Sequence, residues 1–287
     1  MQVKYVMFGF ALLFAMHAVA QVQPTVRALP APEKIRAMLL DKTPQEQLFL
    51  QHRENDQENL KQTLQLHSET FETTCGTFDS VSLKHVTLEA GRSHTVLVIR
   101  SEQCWYDFVV ILRRAPKGHS TLVATYPLFS KYDHPSVSFP ELIGAGIHEI
   151  LIGRKSVGAS GTGVWQYDTL VIKLFDGRPR VIFNQPTEAN LSVPSGKFDN
   201  TEEFQHSKWY LVPAGDPNYS RTDILEEQVA CVHRTKLDRW WLHSWNPRIH
   251  SFEGYLIDEP SAKDLLVKGA RYHTTTDPED EVRSSCK

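Results

Sequence analysis

The chain has 287 residues, of which 41% are hydrophobic and 23% are charged, and its formal net charge is −3 at pH 7. This length is ample for a buried core in one large or two small domains, so the fold need not depend on disulfides. The slightly acidic balance, with no basic cluster along the chain, argues against nucleic acid as a partner, because phosphate neutralisation requires local positive charge.

Residues 1–20 have the three parts of an export signal. Lys4 provides a small positive n-region, VMFGFALLFAMHAVA is apolar, and the AVA at 18–20 has the form of a cleavage site. The apolar run is shorter than the roughly 20 residues of a spanning helix. We therefore expect residues 1–20 to be a signal peptide, the protein to be periplasmic or extracellular, and the mature chain to have no transmembrane segment.

Residues 21–72 are predicted to form a loose leader and then a helical segment. QVQPTVRALPAP at 21–32 holds three prolines, and TPQE at 43–46 has the form of a capping box with proline at the first helical position. The following stretch lacks Gly and Pro, and Leu60 and Leu64 lie one helical turn apart. This thin apolar stripe predicts a helix that lies on a surface.

Residues 73–266 are predicted to form a mainly β, antiparallel domain that is propeller-like or sandwich-like. Runs such as HTVLVIR and TLVIKLF are rich in β-branched residues, and turn residues separate the runs at spacings of roughly 8–12. The segment TDILEEQVACVH fits a helix as well as a strand. After Leu266 the composition predicts a polar C-terminal tail over residues 267–287.

The clearest structural unit is a hairpin over residues 168–183, DTLVIKLF-DG-RPRVIF. Its Asp-Gly pair at 176–177 is typical of a type I′ turn. The resulting register pairs Phe175 with Arg178, Leu174 with Pro179, Ile172 with Val181, and Leu170 with Phe183. One face of the hairpin would then be wholly apolar, which fixes a register.

Residues 139–183 contain, in order, a Gly-rich turn, a short EIL run, a Gly/Ser loop, the run TLVIKLF and a DG turn. This order resembles a blade of the FG-GAP or VCBS-type β-propeller repeats of secreted bacterial proteins. The resemblance implies a secreted protein with a propeller-like fold. Blades of that family often carry a carboxylate-rich calcium loop, but the matching stretch at 143–148, IGAGIH, has no carboxylate. Calcium needs several oxygen ligands, so we expect none at this turn.

The Gly/Ser loop itself, at 157–164, meets no catalytic motif. A nucleophile elbow would need glycine where Thr162 stands, and a P-loop would need lysine after Gly163. A dinucleotide fingerprint would need glycine in place of Ser160. We interpret the stretch as a connection between strands.

Aromatic residues give the strongest indication of a binding surface. In strand geometry Trp241, His243 and Trp245 share one face, and Trp165 and Tyr167 follow the Gly/Ser loop. An indole ring offers a broad apolar face and one donor, which suits stacking on a sugar or a peptide. These five residues are the predicted ligand-binding residues, with ordinary core packing as the alternative.

The four cysteines, Cys75, Cys104, Cys231 and Cys286, form an even set. In an exported protein they predict two disulfides, and proximity in sequence favours 75–104 and 231–286 among the three possible pairings. Free buried thiols are the alternative. No C-x-x-C or H-x-x-x-H spacing accompanies them, so we expect neither a zinc site nor another metal or cofactor.

These features predict an exported, non-enzymatic binding or envelope-associated protein whose partner is a glycan, a peptide or an envelope protein. The alternative is a secreted hydrolase, acting on a glycan, whose acids assemble from distant strands. A third possibility is a structural subunit with an apolar interface. An enzyme requires ionisable groups that converge in one cleft, whereas a binding protein requires only a suitable surface.

Overall fold

The computed structural model describes residues 28–40, 58–66, 78–101, 105–115, 118–130, 134–157, 165–190, 204–215, 220–232, 235–269 and 271–273. The predicted signal peptide, the capping box, the Gly/Ser loop and most of the C-terminal tail lie outside these residues. Cys75, Cys104 and Cys286 also lie outside them, as does the side chain of Cys231. The disulfides therefore stay a prediction.

The described residues form three helical segments and thirteen strands. The helices are α1 (Pro32–Leu39), α2 (residues 58–63) and α3 (Glu259–Val267). The strands are β1 (Ser80–Glu89), β2 (Arg92–Arg100), β3 (Tyr106–Arg114), β4 (Ser120–Phe129), β5 (Ser136–Ser138), β6 (Ile150–Val157), β7 (Trp165–Phe175), β8 (Arg178–Asn190), β9 (Phe204–Pro213), β10 (Thr222–Val232), β11 (Thr235–Asn246), β12 (Ser251–Ile257) and β13 (Arg271–His273). The mainly β prediction is confirmed, and residues 222–232 of the ambiguous TDILEEQVACVH segment form strand β10.

All of the strand pairs are antiparallel and form two sheets. Strands β1–β4 make a four-stranded sheet in chain order. The larger, nine-stranded sheet runs from β12 down to β5, with β13 beside β9. Within it, β8 and β9 pair only from Glu188–His206 to Asn190–Phe204. The larger sheet is therefore two meanders, β5–β8 and β9–β12, joined at one corner.

The three meanders stack face to face, because alternate residues of a strand point to opposite faces. Val96 and Ile172 belong to the core between β1–β4 and β5–β8. Val171 and Trp245 belong to the core between β5–β8 and β9–β12. Strand β7 therefore contributes to both cores through neighbouring residues, which is compatible with the propeller-like or sandwich-like prediction.

Helices cover the two outer faces of the stack. Leu60 and Leu64, predicted to lie one turn apart, are both buried with Phe108 against the outer face of β1–β4. On the opposite side, Ala262 of α3 is buried against Leu225 of β10. Within the described part of the chain, no helix is long and apolar enough to cross a membrane.

The β7–β8 hairpin has the predicted turn, with φ angles of 51° at Asp176 and 74° at Gly177. The first three predicted pairs, those of Phe175, Leu174 and Ile172, are observed. The fourth is wrong, because a register shift between Val171 and Ile172 places Phe183 opposite Val171. This β-bulge lets both Ile182 and Phe183 enter the second core and leaves Val181 51% exposed, so the predicted apolar face is interrupted.

Candidate functional site

Three of the five predicted binding residues lie together on β11. Trp241, His243 and Trp245 share the face that points to the second core, where His243 is 5% and Trp245 is 8% exposed. Trp241 is partly buried, and its indole nitrogen donates to Gln228 Oε1 at 3.2 Å. The shared face was predicted correctly, but two of its three side chains have little surface to offer a ligand.

The other two predicted residues lie elsewhere on the sheet. The Trp165 backbone pairs with Asn190, and this row of the sheet continues through Phe204 and Cys231 to Lys236 of β11. Lys236 is about 16 Å along the strand from Trp241, at 3.3 Å a residue. The structure does not bring Trp165 and its neighbour Tyr167 to the β11 aromatics. The side chains of both residues lie outside the described ones.

His243 takes part in a buried polar network. Its Nε2 lies 2.9 Å from Glu226 Oε2, and the hydroxyl of Ser207 donates to Glu226 Oε1 at 2.6 Å. All three residues are buried. The His243 ring also stacks on Trp209 at 5.5 Å, and a Cβ added at Gly254 would lie 2.6 Å from its Nδ1.

In this network the carboxylate lies between the hydroxyl and the imidazole. A nucleophilic serine is activated by a hydrogen bond to its base, with the acid beyond the base. Here Ser207 and His243 each bond to a different oxygen of Glu226. The arrangement satisfies three buried polar groups and fixes the packing of β9, β10 and β11, so it is a structural network.

A second set of residues forms an open groove at the edge of the first core, between β1–β4 and β5–β8. The groove has a volume of about 330 Å³ and lies where the β1–β2 turn meets the β7–β8 hairpin. Its lining is Leu88, Glu89, Ala90, Arg92, Ile147, Lys173, Leu174, Phe175 and Asp176. Apolar side chains and charges of both signs line it together, so it can offer both apolar contact and hydrogen bonds.

An aromatic cluster extends from the groove to β11. The Phe175 ring stacks on Trp245 with centroids 6.4 Å apart, and the His250 ring lies 4.8 Å from Phe175 and 6.3 Å from Trp245. Two cations, Lys173 Nζ at 5.9 Å and Arg180 Cζ at 5.8 Å, lie over the Phe175 ring. Trp245 is thus the predicted binding residue that connects to this groove.

Lys173 is held in place by a buried ion pair. Its Nζ lies 2.6 Å from Glu149 Oε1, and the Glu149 side chain is fully buried. The other oxygen of Glu149 accepts the backbone N–H groups of Leu142, at 2.8 Å, and Ile143, at 3.4 Å. This one carboxylate therefore ties the loop that carries Ile147 to β7, and so fixes one wall of the groove.

Glu89 joins the two turns that border the groove. Its Oε1 accepts the Gly177 N–H at 2.5 Å, and its Oε2 lies 3.3 Å from Arg92 Nη1. His94 Nε2 is 3.6 Å from the same carboxylate, and the His94 ring is fully buried. Burial lowers the pKa of His94 below 6.5; the charge of Arg113 acts in the same direction, whereas Glu89 opposes it.

Basic side chains crowd the tip of the hairpin. A Cβ at Gly177 would overlap Arg113 Nη2 and would lie 3.8 Å from Arg92 Nη1. The six basic residues in and around the hairpin and the 247–250 turn are Arg92, Arg113, Lys173, Arg178, Arg180 and Arg248, and the four carboxylates beside them are Glu89, Glu149, Asp176 and Glu253. The surface here is cationic although the whole chain is slightly acidic.

Sequence reasoning missed this cluster because its members come from four distant segments. The expectation that no basic cluster exists holds along the chain, but folding brings β2, β3, β7–β8 and the 247–250 turn together. The one local signal is RPR at 178–180 after the DG turn. Its two arginines lie opposite Phe175 and Lys173, so they share a face with an aromatic ring.

Among the described residues, no group of three His, Cys, Asp or Glu side chains is placed to hold a metal ion. Comparisons with protein-family models, with curated proteins and with solved structures found no match. The resemblance of residues 139–183 to propeller blades therefore stays a prediction.

Proposed function

We propose that the protein is an exported, non-enzymatic binding or envelope-associated protein, and that the groove beside the β7–β8 hairpin receives its ligand. The partner classes that fit are a glycan, a peptide or a segment of an envelope protein. Export is supported by the sequence alone, through Lys4, the apolar run and the A-x-A motif at 18–20.

The observation that carries this proposal is the lining of the groove. The partly exposed Phe175 and Ile147 offer apolar surface, while Asp176 and Arg92 offer an acceptor and a donor beside it. The buried ion pair of Glu149 with Lys173 and the bonds of Glu89 hold the walls in place without a ligand. A preformed wall lowers the entropic cost of binding.

The test is occlusion of the groove. Ala90 is exposed in the β1–β2 turn and lines the groove, so Ala90→Trp places an indole in it at little cost to the fold. The control is Thr235→Trp, since Thr235 is exposed at the opposite end of β11 from Trp245. The purified full chain is titrated calorimetrically with a panel of oligosaccharides and peptides.

We expect at least one panel member to bind the wild-type chain and the T235W variant equally. The same ligand should bind A90W at least about tenfold more weakly, which corresponds to a steric clash of roughly 1.4 kcal/mol. If the ligand bound A90W as tightly as it binds the wild-type chain, the binding site would lie outside this groove. Absence of binding by every panel member would overturn the proposed function.

The second candidate is the secreted hydrolase acting on a glycan. It is favoured by one observation, that Glu89 and Asp176 come from different strand ends and line the same groove. Glycosidases use two such carboxyl groups. In that case incubation with the glycan that binds would release reducing ends, and Asp176→Asn would abolish the release. Asparagine also tolerates the positive φ of 51° at this position.

A further inference from the structure

The β7–β8 hairpin presents guanidinium groups without carboxylate partners. Arg178 and Arg180 are exposed, and within the described residues neither forms an ion pair. The same holds for exposed Arg248, in the turn that carries His250. Guanidinium is weakly hydrated and matches a carboxylate bidentately, so such groups are suited to bind anions from solution.

Arg180 is positioned by the aromatic cluster. Arg180 Cζ lies 5.8 Å from the centroid of Phe175, and His250 packs on the same ring at 4.8 Å. His250 itself has a φ of 54°, which is uncommon for a residue other than glycine. The cation–π contact limits the motion of the Arg180 side chain, and so reduces the entropy that a ligand contact would cost.

The charge of this face contrasts with that of the molecule. The chain as a whole carries a formal charge of −3, and the groove itself has two cations and two carboxylates, but Arg178, Arg180 and Arg248 add exposed positive charge around it. A local positive field of this kind attracts anionic ligands and repels cationic ones.

We propose that the ligand of this site is an acidic oligosaccharide, whose carboxylates bind Arg178, Arg180 and Arg248 while a sugar ring enters the groove. This inference rests on the proposed function. Asp176 and Glu89 then accept sugar hydroxyl groups, and Phe175 and Ile147 contact the apolar face of the ring. At about 330 Å³ the groove is near the small end of ligand sites, so it suits a few sugar units.

The surroundings favour a saccharide over other anions. Asp176 is exposed at the tip of the hairpin, so the charged headgroups of an anionic membrane would meet it together with the arginines, whereas a saccharide can present a neutral hydroxyl group to it. An acidic peptide would have few hydroxyl groups to donate to the groove carboxylates. Those carboxylates would then be desolvated beside the negative charges of the peptide, without hydrogen-bond donors. A hydroxylated acid satisfies both the cations of the face and the acceptors of the groove.

The experiment compares oligogalacturonate with neutral oligogalactose of equal length, by calorimetric titration of the full chain at low and high salt. The test variant is Arg178→Ala/Arg180→Ala. The matched control is Lys236→Ala/Arg239→Ala, which removes the same charge from exposed positions of β11. Thermal melts of each variant establish that it is folded.

We expect the acidic ligand to bind at least about tenfold more tightly than the neutral one, a difference typical of charge-assisted hydrogen bonds. Added salt and the R178A/R180A variant should both remove this preference, and K236A/R239A should retain it. If both sugars bound equally, and if A90W blocked this binding whereas R178A/R180A did not affect it, this inference would be overturned. The proposed function would still stand.

Two further arms give decisive outcomes. Tighter binding of poly-glutamate, or of phosphatidylglycerol vesicles, than of oligogalacturonate would overturn the saccharide assignment. If no saccharide and no peptide binds the wild-type chain, the proposed function fails together with this inference.

Discussion

At the scale of single residues, His94 has an unfavourable environment. It is fully buried, and within the described residues neither ring nitrogen has a well-formed hydrogen bond, although the backbone of Arg92 partly offsets the effect of burial on the His94 pKa. A buried polar group without a partner costs about 1–3 kcal/mol. The nearest charges are Glu89, Arg92 and Arg113, so His94 lies directly behind the carboxylate that joins the two turns of the groove.

This environment predicts a loss of stability in acid. Burial lowers the pKa of His94 below 6.5, so below that pH the unfolded chain binds a proton that the folded protein does not. The free energy of unfolding should therefore fall as the pH drops from 6.5 through the lowered pKa, and should be unaffected by this group above 6.5. His94→Leu should reduce the pH dependence of the urea midpoint over that range.

The control for this prediction is His119→Leu, because His119 is exposed. The H119L variant should keep the pH dependence of the wild-type chain. An unchanged pH dependence in H94L would show that other groups titrate there.

Single residues were predictable from the sequence only where local geometry decides. The two-residue period of a strand placed Trp241, His243 and Trp245 on one face correctly. The two-residue period does not predict that this face points into the second core, because burial depends on which meander packs against the face. The partnership of Trp245 with Phe175 is likewise a contact between distant strands.

At the scale of elements, the β7–β8 hairpin positions the candidate site. Its type I′ turn followed from Asp-Gly alone, since both residues tolerate a positive φ. The bulge after Val181 could not be predicted, because Ile182 and Phe183 are both apolar and local pattern does not decide between them. It arises because the second core accommodates both side chains.

The ion pair of Glu149 with Lys173 should be essential to this element. Lys173→Met would leave a fully buried carboxylate without its cation, so we expect a loss of about 3–5 kcal/mol in the free energy of unfolding. The control is Lys236→Met, which breaks the exposed pair with Asp238 at 3.0 Å and should cost at most about 1 kcal/mol. Urea denaturation measures both, and equal losses would contradict a structural role for the buried pair.

At the scale of the whole molecule, three antiparallel meanders stack between helices, and the candidate site lies at the tip of the central one. The mainly β character was evident from β-branched runs and turn spacing. The basic surface was not evident from the sequence. Its arginines are separated by up to 156 positions, from Arg92 to Arg248, and the stacking of the sheets brings them together.

If the ligand binds at the tip of the β7–β8 hairpin, as we propose, it should protect that region from hydrogen–deuterium exchange. We would therefore measure exchange of the full chain with and without oligogalacturonate. We expect slower exchange on ligand addition over residues 173–180 and over the 247–250 turn, with β12 and α3 unchanged. Slower exchange confined to β12 and α3, or no change at the hairpin at saturating ligand, would contradict this proposal.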